Sequence, residues 1–300
     1  MKIFSRWLWN RAPPLLVLAA ILWAGNAVAS RMAVGNVSPM TLVAVRWLLI
    51  SVIMALAAPV AIRASAPLLW RHKGLIVLMA TVGLAGFNAL LYVSAHYTTA
   101  VNIVLLQCLM PGLVLIGGGF LGARAAATQY AGVVITCLGV AIVATRGHPL
   151  EILSLQLNFG DVLVLVTCVM GAIYNLMLPR RPKTTAPVYF AALAMASFLV
   201  SMPMMAVEVG VGELLWPNAV GWGVILFTAL GPGIGAQVLF LRGVDLIGPA
   251  RAGIYNNLTP VFGALLGVMV LGETFAGYHA VGLAFVLAGI WMGERGKRLK

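Results

Sequence analysis

Long apolar stretches broken by short polar joins run the whole length of the chain. A helix needs roughly 20 apolar residues, within about 17–25, to cross the hydrocarbon core of a bilayer. Stretches of that kind fall at Pro13–Val34, Met40–Ile62, Gly74–Tyr92, Ala100–Leu121, Thr128–Thr145, Phe159–Leu178, Pro187–Glu208, Ala219–Leu241, Pro249–Leu271 and Phe275–Met292. The joins carry helix breakers, such as Asn36-Val37-Ser38-Pro39 and Gly272-Glu273-Thr274. The pattern predicts ten transmembrane helices and an all-α integral membrane fold. Basic Lys2 to Arg11, an apolar stretch and Ala27-Val28-Ala29 together have the form of a cleavable leader. Cleavage would leave an odd number of helices with mismatched ends, so the segment is expected to stay as the first span.

Composition sharpens this. Of 300 residues, 62% are hydrophobic and 9% charged, where soluble domains carry about 25% charged residues. The mean hydropathy is +1.03. A core of this size cannot bury so much apolar surface, so lipid is the solvent for most side chains. The net charge of +12 raises the question of a nucleic-acid partner, but the basic residues gather in short joins and at the termini. With the N-terminus in the cytoplasm, the outward joins hold only Arg31 and Arg146, and Arg46 and Arg251 fall within spans; the other fifteen of the 19 Lys and Arg face inward. That is the asymmetry of a bacterial-type inner membrane protein with both termini cytoplasmic, and it argues against nucleic acid. Cys108, Cys137 and Cys168 each lie in an apolar run with no paired spacing, which indicates neither disulfide nor metal.

The two halves resemble each other. Tyr97-Thr98-Thr99-Ala100, followed by a helix with Pro111 at its middle, recurs as Leu246-Ile247-Gly248-Pro249 with Pro260 at its middle. After one inserted residue, Gly132 and Gly139 correspond to Gly282 and Gly289. Arg124, on an inward join, corresponds to Glu273 on an outward one. Five helices per repeat is an odd number, so the second copy is expected to be inverted. The division is residues 1–146 for the first repeat, 147–158 for an outer connecting loop, and 159–300 for the second repeat with its basic tail. Inverted repeats with a site between them near the midplane are a recurring transporter plan.

Leu22-Trp23-Ala24-Gly25-Asn26, then Ser38-Pro39 and Arg46, resembles the opening of EamA-type transporters of the drug/metabolite transporter superfamily. The stretch from Pro260 to Gly272-Glu273-Thr274 resembles the end of their second repeat, where the helix closes on Leu-Gly-Glu. In the first repeat, Gly122-Ala123-Arg124 departs from the Gly-Glu-Arg often found there. The resemblance implies ten helices in two inverted five-helix repeats. It also implies an exporter of amino acids or similar small metabolites.

Proline within a helix removes one hydrogen bond and displaces the carbonyl four residues earlier. Pro111 is therefore expected to free the carbonyl of Gln107, and Pro260 that of Asn256. Such carbonyls in hydrocarbon must face protein, water or substrate, so two readings stand: a simple kink, or a paired kink lining a cavity. Trp23, Asn26 and Ser30 share one helical face, as do Asn88, Tyr92 and His96. Tyr174, Asn175, Gln237, Tyr255 and Asn257 add hydrogen-bonding capacity in the central helices. Amides and phenols suit a zwitterion, and aromatic faces cover an apolar side chain or a cation. Each of these residues also reads as glue between helices. Arg46, about 10 Å below the outer surface, either binds a substrate carboxylate or snorkels outward.

No carboxylate lies deep in a span: Asp161, Glu208 and Asp245 sit at edges or in a join, and His96 and His279 near outer ends. No nucleotide-binding signature is present. Facilitated diffusion or exchange is therefore expected, with motion permitted by Gly117-Gly118-Gly119, by Gly231-Pro232-Gly233 with Gly235, and by Gly263 with Gly267. Scattered titratable groups give no catalytic cluster and no cofactor site, and no ringed filter of a channel is visible. Nucleosides and organic cations or drugs, carried with or without protons, remain the alternative cargo. Five helices per repeat can close around a cavity within one chain, which points to a monomer.

Overall fold

The computed structural model describes residues 9–122, 126–145, 147, 158–247, 255 and 258–296. Among these residues every regular element is helical. In chain order they are α1 (Ala12–Ala33), α2 (Pro39–Ala57), α3 (Pro59–Arg71), α4 (Lys73–Ser94), α5 (Ala100–Phe120), α6 (Ala127–Ala144), α7 (Phe159–Arg180), α8 (Ala186–Gly210), α9 (Ala219–Ile247), α10 (Thr259–Leu271) and α11 (Gly277–Gly296). Seven of them, α1, α2, α4, α5, α7, α8 and α9, are long and apolar enough to cross a membrane. Shorter apolar helices occupy Ala127–Val143, Thr259–Leu271 and Gly277–Gly293. Most of the 147–158 connection, and Arg124, Arg146, Pro249, Arg251, Asn256 and Asn257, lie outside the described residues.

The second span is shorter than hydropathy predicts. α2 stops at Ala57, Ala58 turns out of the helix at φ −142°, and Pro59 starts the separate helix α3. Pro59 has no N–H to continue the ladder but is suited to a first turn. Residues 63–73, expected as a join, are therefore mostly helical, with Trp70 exposed and Lys73 Nζ 4.4 Å from its ring centroid.

The core is built from small and branched side chains. Ala27, Val28, Leu91, Ala100, Ile103, Val104, Leu105, Val164, Ala264 and Val286 form one buried cluster that joins α1, α4, α5, α7, α10 and α11. Leu56, Val60, Phe120 and Met269 point outward at 72–88% exposure, the surface expected to meet lipid.

α6 and α11 meet backbone to backbone. A Cβ on Gly132 would stand 2.4 Å from the Gly289 carbonyl oxygen, and one on Gly139 would stand 2.6 Å from that of Gly282. The register runs backwards, so the helices are antiparallel. The four glycines that the repeat pairs as 132 with 282 and 139 with 289 thus meet crosswise, as two copies related by a two-fold axis would.

Candidate functional site

A cavity of about 610 Å³ lies at the centre of the bundle. Its wall takes Trp23 from α1, Gly83, Leu84 and Phe87 from α4, Met110 from α5, Tyr174 and Asn175 from α7, Phe190 from α8, Ile234, Gln237 and Phe240 from α9, and Thr259 at the start of α10. It reaches the end of the bundle where Leu178, Arg181, Ala186 and Pro187 lie. That size is within the range of pockets for small molecules, and a mainly apolar wall with a few polar groups is their usual form. Trp23 packs on Phe240 with centroids 5.3 Å apart.

Two of the helices facing the cavity widen beside it. α4 widens to a π-helical turn over Thr81–Ala85, and α9 does so over Ala229–Gly235. The repeat offset of 149 residues carries 81–85 onto 230–234, so the two turns are equivalent. Pro232 cannot donate to the carbonyl four residues back, and the wider turn absorbs that gap. In α4 the bulge brings Gly83 flush with Tyr174, where a Cβ would lie 2.1 Å from the ring. Glycine is required there because a ring occupies the space of a side chain.

Pro111 acts differently from expectation. α5 tightens to a 3₁₀ turn over Gln107–Leu109, and the Gln107 carbonyl accepts from the Met110 N–H. The carbonyl that Pro111 cannot serve is thus paired within its own helix, not left open to substrate. Pro111 itself lines a neighbouring cavity of about 440 Å³ with Cys108, Thr136 and Cys137. Pro260 sits in the first turn of α10, and the Asn256 carbonyl lies outside the described residues. Tyr255 packs near Ala12 and Leu16, away from the central cavity.

Trp23, Tyr174 and Gln237 therefore line the cavity, with Asn175 beside them. Asn26, Asn88 and Tyr92 gather instead around Arg46. Its Nη1 donates to Asn88 Oδ1 at 2.8 Å and to the Tyr92 hydroxyl, and stands 3.5 Å from Asn26 Oδ1. Arg46 is 5% exposed, so it does not snorkel. α4 ends at Ser94, which removes His96 from the face of Asn88 and Tyr92.

The end of the bundle opposite Arg181 is closed by carboxylates. Glu208, 7% exposed in the last turns of α8, accepts from the Met40 and Thr41 N–H groups at 3.0 and 3.1 Å. It also accepts from Ser38 Oγ at 2.5 Å and Thr41 Oγ1 at 3.0 Å. These are the orphan donors of the α2 N-terminus, capped from another helix. Glu273 does the same for α5, accepting from the Ala100 and Val101 N–H groups at 2.8 and 3.1 Å. Gly272, at φ +66°, ends α10 in the left-handed conformation and precedes that contact. Arg31 stands 3.9 Å from Glu273 and also donates to the Ala95 carbonyl. Thr98 Oγ1 donates to Asp161 at 2.5 Å, Asn218 Nδ2 to Asn36 Oδ1 at 2.8 Å, and Asn102 lies 3.2 Å from His279 Nε2. Apart from the Arg31–Ala95 bond, each of these contacts joins a residue below 146 to one above 158. At the basic end, Arg242 reaches the Trp9 carbonyl and Asn10.

The π turns and the carboxylate caps were not predicted. The caps had one sequence signal: no Asp or Glu occurs before Glu151, so every carboxylate belongs to the second half.

A sequence model of the EamA-like transporter family matches residues 11–145 and 158–293. The uncharacterized transporter YyaM of Bacillus subtilis (strain 168) is 26% identical over 216 residues, 71% of this chain and 70% of that protein. An uncharacterized transporter of Archaeoglobus fulgidus is 25% identical over 290 residues, 93% of this chain and 95% of that protein. A protein of known crystal structure shares the fold, with a TM-score of 0.65 at 19% identity over 96% of this chain and 98% of that one. With two matched segments that meet around one cavity, this multi-pass membrane transporter belongs to the EamA-like transporter family.

Proposed function

We propose that the chain exports amino acids or similar small metabolites across a bacterial inner membrane, by alternating access between two inverted repeats. The observation that carries this reading is the asymmetry of the bundle. A cavity of about 610 Å³ reaches the Arg181 end, while the other end is closed by contacts between the two matched segments. Assigning the basic end to the cytoplasm by the positive-inside rule makes this an inward-facing state, with both termini cytoplasmic and one chain enclosing the path. Asp161, Glu208 and Glu273 are engaged at the closed end and do not line the cavity. That supports facilitated diffusion or exchange over a proton relay through the site. The aromatic wall of Trp23, Phe87, Tyr174 and Phe240 favours one other cargo, an organic cation or a nucleoside.

The test is flux into proteoliposomes with labelled amino acids, a nucleoside and an organic cation, for the parent and for a Gln237→Ala, Asn175→Ala variant. The expected result is saturable, competitive flux that the variant loses by about tenfold or more while remaining monodisperse. Flux of the cation or nucleoside alone moves the cargo to the second reading. Non-saturating flux rules out a carrier, and strong acceleration by an imposed pH gradient rules out uncoupled transport.

A further inference from the structure

The described residues leave three buried side-chain polar atoms without a partner, and two belong to neighbours: Arg46 Nε and Trp47 Nε1. Arg46 is a full charge, 95% removed from solvent, in the second turn of α2. A buried cation in a membrane span normally meets a carboxylate, because desolvation otherwise makes it costly. Among the described residues Arg46 has no such neighbour. All its hydrogen bonds leave from Nη1, and all go to neutral groups: Asn88, Tyr92 and, at the limit of reach, Asn26. The Trp47 ring lies 5.4 Å from the guanidinium carbon.

These partners orient the guanidinium and do not neutralise it. They are themselves tied down: Asn88 Nδ2 donates to the Leu84 carbonyl, and Tyr92 is 1% exposed. Asn26 is only half-buried and stands one turn from Trp23, which lines the cavity. Leu84, whose carbonyl holds Asn88, and Phe87 line the same cavity. The cluster thus sits behind the part of the wall formed by Trp23, Leu84 and Phe87, and none of Arg46, Asn26, Asn88 and Tyr92 itself lines the cavity in this state. Arg181, which does line the cavity, is at its mouth and exposed, so water satisfies it.

We propose that Arg46 is the anchor for the carboxylate of the transported molecule, with its fork completed by the substrate and held in place by Asn26, Asn88 and Tyr92. This rests on the carrier reading above and narrows it: the substrate is an organic carboxylate with an apolar or aromatic tail, and organic cations and neutral nucleosides are excluded. Guanidinium fits a carboxylate with two parallel hydrogen bonds, and the free Nε supplies one of the donors needed. The apolar tail lies against Trp23, Phe87 and Phe240.

The test uses four probes that share one ring: L-phenylalanine, 3-phenylpropionate, L-phenylalaninamide and phenethylamine. Binding to the purified full-length protein is read as the midpoint of a ligand-induced shift in Tm. The two carboxylates are expected to bind at least about tenfold more tightly than the amide and the amine, a difference of about 1.4 kcal/mol. Arg46→Gln removes that preference, and Arg46→Lys restores part of it. The acid-versus-amide comparison on the parent needs no variant to fold. Equal binding of amide and acid, binding by neither carboxylate, or a preference that survives Arg46→Gln would each overturn the assignment. Flux is read separately. Amine or nucleoside flux that Arg46→Gln leaves intact sinks the carboxylate anchor but keeps the carrier, whereas no flux of any labelled compound sinks the carrier.

Discussion

His96 stands two residues past the end of α4, in a polar chamber of about 310 Å³ that it shares with Arg31, Asn102, Asn158, Tyr278 and His279. Burial lowers its pKa from the ordinary 6.5, Arg31 lowers it further, and Glu208 opposes both. The packed state therefore holds fewer protons at this ring than the unfolded chain does. Stability from that source is present above the ordinary value and is lost as pH falls through 6.5 toward the lowered value. Acidification from about pH 7.5 to about pH 5.5 should lower the Tm of the solubilised protein more in the parent than in His96→Gln. Equal slopes would show that protons act elsewhere. The Arg46 cluster shows what sequence hides at this scale. Asn88 and Tyr92 were legible as one helical face, yet their common partner Arg46 lies on a different helix and 42 or more residues away. Glu208 and Glu273 are legible as edge carboxylates, but a cap donated from one helix to another leaves no local spacing to read.

At the level of elements, hydropathy finds a span by its mean and is blind to pitch. It located α1, α5, α7 and α8 within a few residues, because about 20 apolar residues are a long signal. It overran α2, since Pro59 interrupts the ladder without interrupting the apolar run. It missed both π turns, which alter hydrogen bonding by one residue and hydropathy not at all. The glycine register was legible as a repeat but not as a contact. Gly132 and Gly289 touch through backbone on both sides, with Cβ positions 2.4 Å from each other's carbonyl oxygen. Nothing flexible can yield there. Gly132→Val should destabilise the packed bundle by about 1–3 kcal/mol, read as a fall in Tm and a broadened gel-filtration peak. Gly223→Val, where a Cβ meets open space, is the control. An unchanged Tm for Gly132→Val would mean that α6 and α11 do not pack this closely in the membrane.

For the whole molecule, the closed end must come apart if a cavity that reaches one side is to serve two. Asn36 and Asn218 offer the most direct test, because they bridge the two matched segments at the carboxylate end. The Asn218 N–H donates to the Asn36 carbonyl at 3.1 Å, and their side chains meet at 2.8 Å. Backbones that close lie within reach of a disulfide, whose Cα atoms stand about 4.4–6.8 Å apart. Cys108, Cys137 and Cys168 are free, with two of them buried, and the parent chain under the same oxidant is the control for any link among them. An Asn36→Cys, Asn218→Cys variant should therefore oxidise cleanly in the closed state. Alternating access by rocking of one repeat against the other then requires that oxidation cut flux by at least about tenfold and that a reductant restore it. Each single variant, which loses the bond between the asparagines without adding a link, should retain flux under both conditions. Full flux through the cross-linked protein would mean that this end never opens, and that the cavity exchanges its contents by some other route.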